Sequence, residues 1–263
     1  MKILALEFSS DHRGAAVMDC PPGAPSVLWG EASEIGGPGA RPLCLVEDAL
    51  RESGVQREQI EMIAVGLGPG SYAGIRTAIA MGQGWQLARG IKLLGIGSVE
   101  CLATEARARQ WTGIIDFLID AQRHEFYWAR YELGAGAPRM VAPLKLVTQA
   151  EAHALGQNNH LLAGPGITRW FPTARDLYPT ASGLGQLAAG RVDFVPGDRM
   201  EPIYLRVPGF LKAPPSRTIT VPNQTRPRQS RGGMILFAWH EDKLSLLGRG
   251  RSKRVTRKSG LVA

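Results

Sequence analysis

Cysteine is scarce in this chain. Cys20, Cys44 and Cys101 are odd in number, far apart and free of any C-x-x-C pair, which excludes a disulfide framework or zinc knuckle and makes a reducing cytoplasm the expected home. Histidine is nearly as sparse. The five, at 12, 124, 153, 160 and 240, include no i, i+4 pair, so no helical metal site is expected, and His124-Glu125 lacks the second histidine of an H-E-x-x-H. No apolar run approaches the ~20 residues that cross a bilayer. The run at residues 3–6 ends at Glu7, too short for a secretory signal, so neither membrane nor export is expected. There is no G-x-S-x-G around Ser71 and no Walker ending Gly-Lys-Ser/Thr. No catalytic residue is therefore assigned.

What the chain does have is 44% hydrophobic and 21% charged residues over 263 positions, enough for one large or two modest globular domains. Its formal charge of +8 is unevenly spread. Thirteen of the 31 Lys/Arg and two of the 23 acids fall from Arg206 onward, a net of +11 there and −3 before it. Any steering of a polyanion is expected from this Pro/Arg-rich tail. Within it, MILFAW at 234–239 and LSLL at 244–247 flank a polar turn, the pattern of a small hairpin over 233–248.

Along the body, residues 2–8, 14–18 and 26–31 read as a meander of three strands. A helix is expected over 42–53, where Leu43, Val46, Ala49 and Leu50 recur at three- and four-residue spacing. A strand at 62–65, a glycine loop and a helix to 89 follow, then a strand at 92–95 and a helix to 110 with Ser98 as N-cap. The second half repeats this order. Strands are expected at 113–119, 125–132 and 144–147, a helix capped by Thr148, a strand at 161–164 and a helix over 181–190. Strand-rich openings followed by helix and strand, twice over, suggest two α/β subdomains. The expected division is 1–100, 101–206 and a basic extension over 207–263.

The most informative stretch is GLGPGSYAGIR at 66–76. Strand, glycine loop and helix N-terminus together aim backbone N–H groups at one spot, which suits a phosphate or a closely packed neighbouring backbone. Gly68, Gly70, Ser71, Gly74 and Arg76 are the nucleotide or anion candidates. The packing reading is favoured: glycines allow a tight turn and close approach, with Ser71 as N-cap. Arg76 is placed for a local ion pair or for a partner. Asp120 and Glu125 flank a turn, where such residues usually anchor the backbone. The two N-terminal helices are the expected partner interface, with Leu43, Val46, Leu50, Ala73 and Ala78 as its candidate residues.

Five segments, ILALE at 3–7, the 66–76 loop, LGIGS at 94–98, IDAQRHEFY at 119–127 and EPIYLR at 201–206, resemble the bacterial family of tRNA threonylcarbamoyladenosine biosynthesis proteins TsaB (YeaZ). The resemblance covers 1–206. It implies an α/β fold of duplicated actin/sugar-kinase-like (ribonuclease-H-like) subdomains with mixed sheets flanked by helices. It also implies a non-catalytic subunit for threonylcarbamoyl transfer to the adenosine beside the tRNA anticodon. A TsaD-like catalytic subunit and a TsaE-like ATPase are the partners it implies, with tRNA met indirectly or through the basic tail, and a homodimer in isolation. Cofactors are none required, with ATP/ADP as the alternative in a phosphotransferase or ATPase reading, and a peptidase as a weaker third. The chain departs from the family at Glu7, where an Asp is usual, and at Arg41-Pro42, where a His commonly precedes the first helix.

Overall fold

A computed structural model describes residues 1–21, 23–36, 41–158 and 160–206. The tail 207–263, with the hairpin expected at 233–248, lies outside them, as does most of the glycine break at 36–39. Among the described residues ten strands form two sheets. The first contains β1 (Lys2–Glu7), β2 (His12–Asp19), β3 (Val27–Ile35), β4 (Met62–Gly66) and β5 (Lys92–Ile96) in the order 3-2-1-4-5. The second contains β6 (Gly113–Asp120), β7 (Glu125–Leu133), β8 (Arg139–Thr148), β9 (Leu161–Gly164) and β10 (Arg175–Asp176) in the order 8-7-6-9-10. Each is an antiparallel meander continued by two parallel strands. The same strand order twice over is the duplicated actin-like arrangement expected above.

Among the described residues five α-helices separate and cover the sheets: α1 (Pro42–Ser53), α2 (Tyr72–Arg89), α3 (Ser98–Ala108), α4 (Gln149–Gly156) and α5 (Ala181–Ala188). Alternation along the central strands decides which side chains meet which helix. Leu4, Leu6, Ala15, Val17, Ile63 and Val65 face α1 and α2. Ile3, Ala5, Ala16, Met18, Met62 and Ala64 face Ala181, Leu184 and Ala188 of α5. In the second sheet Ile115, Phe117 and Ile119 pack on α3, while Leu118, Phe126 and Trp128 pack on the α4 side. The second half thus sends a helix back to the first sheet: α5 covers a face that no helix among the described residues of 1–97 covers.

Two differences from the sequence reading have clear causes. Strand β8 begins at Arg139, five residues before the expected start, because Pro143 lies in an edge strand where its missing N–H is harmless. The pairing slips beside it, where Trp128 faces Lys145 but Arg130 faces Ala142. Ser98 is not the cap of α3. Gly97 takes that position and Ser98 is buried inside the first turn, with its hydroxyl turned to Glu7.

Candidate functional site: the interlobe cleft and its glycine loop

The glycine loop leaves β4 and is fastened at once. Leu67 N–H donates to Ile96 O (2.8 Å), Gly68 N–H to Ser98 Oγ (3.2 Å) and Ser71 N–H to Ser9 O (2.6 Å). Ser71 caps α2 as expected, its hydroxyl oxygen accepting from Gly74 N–H. A Cβ on Gly70 would sit 2.0 Å from Ser9 O, and one on Gly74 2.0 Å from Phe8 O. No side chain fits at that distance, so the turn after β1 and the start of α2 touch backbone to backbone. The geometry supports packing as the role of Gly68, Gly70 and Gly74.

Glu7 ends β1 beneath this loop and is fully buried. One carboxylate oxygen accepts from Ser9 N–H (2.8 Å) and the other from Ser98 Oγ–H (3.0 Å), and Ser98 in turn accepts from Gly68 N–H. Burial pushes its pKa up, with the hydrogen bonds from Ser9 and Ser98 opposing. The carboxylate therefore braces strand, loop and helix from below.

Above the loop lies a cleft of about 750 Å³ between the two halves. Ser9, Ser10, Asp11 and Arg13 line one wall with Ser71 and Tyr72. Asp120, Gln122, Gly166 and Arg169 line the other. Asp120 accepts from Gln122 N–H (2.7 Å) and from Arg169 (2.5 Å). It anchors its turn, and it also pairs with a cation that sequence spacing gave no means to find. The turn itself holds three successive non-glycine residues in the left-handed region, Gln122, Arg123 and His124, at φ 64°, 58° and 61°. Such a run costs energy and persists only where surrounding contacts hold it. Arg206 supplies them, donating to Ala121 O (3.0 Å) and Gln122 O (3.4 Å) and pairing with Glu125. Gln149 holds the far side through His124 O and the His124 ring.

The segment 201–206 also reaches the first half. Ile203 N–H donates to Leu67 O (2.9 Å), and Tyr204 stacks on Tyr72 with ring centroids 5.5 Å apart. His12 of β2 also joins the two halves, stacking on Tyr178 at 3.6 Å and 4° between planes. Burial raises the Tyr178 pKa, with Asp11 and Asp176 adding to it. Three of the five family-like segments, 66–76, 119–127 and 201–206, therefore line this cleft, while 3–7 and 94–98 support its glycine loop through Glu7 and Ser98.

Three of the five expected interface residues are core residues. Val46, Leu50 and Ala78 are buried against Leu4, Leu6 and Val65, since the apolar stripe that marks α1 is the stripe its own sheet needs. Leu43, 67% exposed, and Ala73 do reach the surface. Arg76 is exposed on α2 beside Tyr72. Among the described residues no group of three or more His, Cys, Asp or Glu is placed to hold a metal ion, and no helix is long and apolar enough to cross a membrane.

Residues 41–184 match the family described as TsaD, tRNA N6-adenosine threonylcarbamoyltransferase. The chain is 30% identical over 184 residues to an uncharacterized protein of Mycobacterium leprae, covering 67% of this chain and 45% of that one. It is 27% identical over 187 residues to the tRNA threonylcarbamoyladenosine biosynthesis protein TsaB of Escherichia coli, covering 63% and 79%. Among solved structures it is similar to YeaZ from Pseudomonas aeruginosa, at 28% identity and a TM-score of 0.64, over 78% of this chain and 99% of that one.

Proposed function

Because the chain belongs to the tRNA N6-adenosine threonylcarbamoyltransferase family, and to its TsaB/YeaZ type, we propose that it serves tRNA threonylcarbamoyladenosine formation as a non-catalytic scaffold. Its partner in this reading is a TsaD-like subunit that performs the transfer, with a TsaE-like ATPase joining them in the cytoplasm. The observation that carries the scaffold reading is the use made of the cleft's own machinery. Glu7, at the end of β1 beneath the glycine loop, is turned into the core. Gly68 and Ser71 give their N–H groups to Ser98 and Ser9 instead of leaving them to a ligand. Loop and carboxylate thus support the helices behind them, and α2 presents an exposed face to a partner.

The test is reconstitution. Full-length chain and the cognate TsaD-like subunit are mixed, complex formation is followed by gel filtration, and threonylcarbamoylation of tRNA is measured with and without the chain. A complex and dependence of activity on it are expected. Full activity without the chain, and no complex, would remove the proposal.

The open cleft with Ser9, Ser10 and Ser71 on its wall favours a second reading, a nucleotide-binding phosphotransferase. It requires micromolar ATP affinity in the isolated protein, lost when Ser71 is replaced by alanine. Calorimetry separates the two readings, and the scaffold reading expects no such affinity. For the tail, net charge alone supports salt-sensitive RNA contact.

A further inference from the structure

After α5 the chain runs back along the first half and is pinned to it repeatedly. Val195 N–H donates to Leu93 O (2.9 Å), Gly197 N–H to Gln86 Oε1 (2.7 Å) and Ile203 N–H to Leu67 O (2.9 Å), while Gln83 Nε2 donates to Gly197 O (2.7 Å). Tyr204 then stacks on Tyr72. Among the described residues, the hydrogen bonds that 195–206 makes to the second half all come from one side chain. Arg206 donates to Ala121 O and Gln122 O and pairs with Glu125. This tie spans the cleft, whose lining includes Tyr72, Tyr204, Ala121 and Gln122.

The second half has another attachment to the first, of a different kind. Ala181, Leu184 and Ala188 of α5 are buried on the first sheet, and a Cβ on Gly185 would sit 2.5 Å from Met18 Cγ. Glu31 of β3 accepts from Ser182 N–H (3.1 Å) and Oγ–H (2.9 Å). None of these residues lines the cleft. Parting α5 from the sheet exposes packed apolar surface, whereas the Arg206 side chain, 31% exposed, exchanges its partners for water at small net cost. The turn it holds is also unfavourable in itself. Gln122, Arg123 and His124 are left-handed, a conformation that such residues leave when their contacts go. Once the turn relaxes, the two carbonyls that Arg206 needs are displaced, so the fastened and the released arrangements are each self-consistent.

We propose that residues 203–206 form a latch across the cleft, with Arg206 as its bolt, the 121–125 turn as its catch and the seat of α5 on the first sheet as the hinge. Fastened, it holds the cleft walls at one separation. Released, it lets the turn leave the left-handed region and the walls part. The latch governs access to Ser9, Ser10, Arg13 and Arg169 in the scaffold and the phosphotransferase readings alike.

The test uses the full-length chain and two measurements. Hydrogen exchange followed by mass spectrometry reads the turn. The distance between nitroxides on Ala80→Cys and Ala150→Cys, exposed positions of α2 and α4, reads the separation of the halves, with Cys20→Ser and Cys44→Ser keeping other thiols from the label. Arg206→Ala is expected to quicken exchange at 121–125 by about 10- to 100-fold, the loss of a charged hydrogen bond, and to add a longer distance to the single one of wild type. Arg206→Lys, whose ammonium offers three donors to the same three oxygens, is expected to restore most of both. Arg139→Ala, on β8, is the control and is expected to behave as wild type. Faster exchange at the turn with an unchanged distance makes Arg206 a brace of its turn and overturns the latch. So does no change in either measurement. Exchange that rises equally in β1 and α5 also overturns it, because the molecule then opens as a whole.

Discussion

Replacing Glu7 tests whether the carboxylate under the glycine loop is a brace or a liability, and pH tells the two apart. Glu7→Ala removes the acceptor of two buried donors, Ser9 N–H and Ser98 Oγ–H. A buried donor left without a partner costs about 1–3 kcal/mol, so a loss of about 2–5 kcal/mol is expected once the cavity is included. Glu7→Gln keeps the volume and one acceptor oxygen, and its amide donates to Ser98 in place of receiving. One hydroxyl hydrogen then lacks a partner, at about 1 kcal/mol, but no charge is buried. Burial raises the folded pKa above the ordinary 4.5. The native state therefore holds the proton more tightly than the unfolded chain, and wild-type stability falls as pH rises from 4.5 through the folded pKa. Glutamine has no such dependence. Urea unfolding followed by tryptophan fluorescence between pH 4.5 and 8 should show Glu7→Gln gaining on wild type as pH rises. A glutamine variant that falls steadily further behind wild type over the same range refutes the reasoning, because it means the protein stabilises the charged form.

Four other outcomes follow from the same geometry. Gly74→Ala places a methyl against Phe8 O, 2.0 Å away; a loss of about 3 kcal/mol or more is expected, read by thermal melting. Asp116 is fully buried and accepts from Trp128 Nε1 (2.7 Å), Arg130 Nε (2.8 Å) and the His160 ring (3.1 Å). Asp116→Ala should cost about 3–5 kcal/mol by leaving these donors and the Arg130 charge unpaired, and a chemical-unfolding midpoint unchanged from wild type contradicts it. Thr148→Ala breaks the reciprocal capping box with Glu151, for about 1 kcal/mol in the same assay. Burial and Glu100 push the Tyr131 phenol up to about 12; the native state resists its ionisation, so stability should fall from pH 10 toward 12, and ultraviolet titration of wild type against Tyr131→Phe should show the loss of a late-ionising phenol.

Local chemistry was legible in the sequence wherever the answer was local. Pro42 with the Leu43–Val46–Leu50 spacing marked α1 to its observed ends, and Ser71 and Thr148 cap their helices as read. The same stripe misled on the interface, because an apolar helix face says that something covers it and not whether that is its own sheet or another chain. Ser98 shows the complementary failure. It has the identity of a cap, but Glu7 ninety-one positions away competes for its hydroxyl and wins. Nothing in QRH foretells three left-handed residues, since their conformation is imposed by Arg206 from the other end of the body. Strand β10 is two residues long, below what periodicity can register. The cleft is assembled from residues that only tertiary pairing brings together.

The return of α5 to the first sheet has a consequence for how the chain is made. The first five strands are complete at Ile96, but the face bearing Ile3, Ala5, Ala16 and Met18 waits for Ala181–Ala188. At about 5–20 residues per second a ribosome needs roughly 4–17 s to deliver that cover. During those seconds an apolar sheet face stands open on the nascent chain, so the earliest-made half of this protein is also the one most in need of a chaperone's attention.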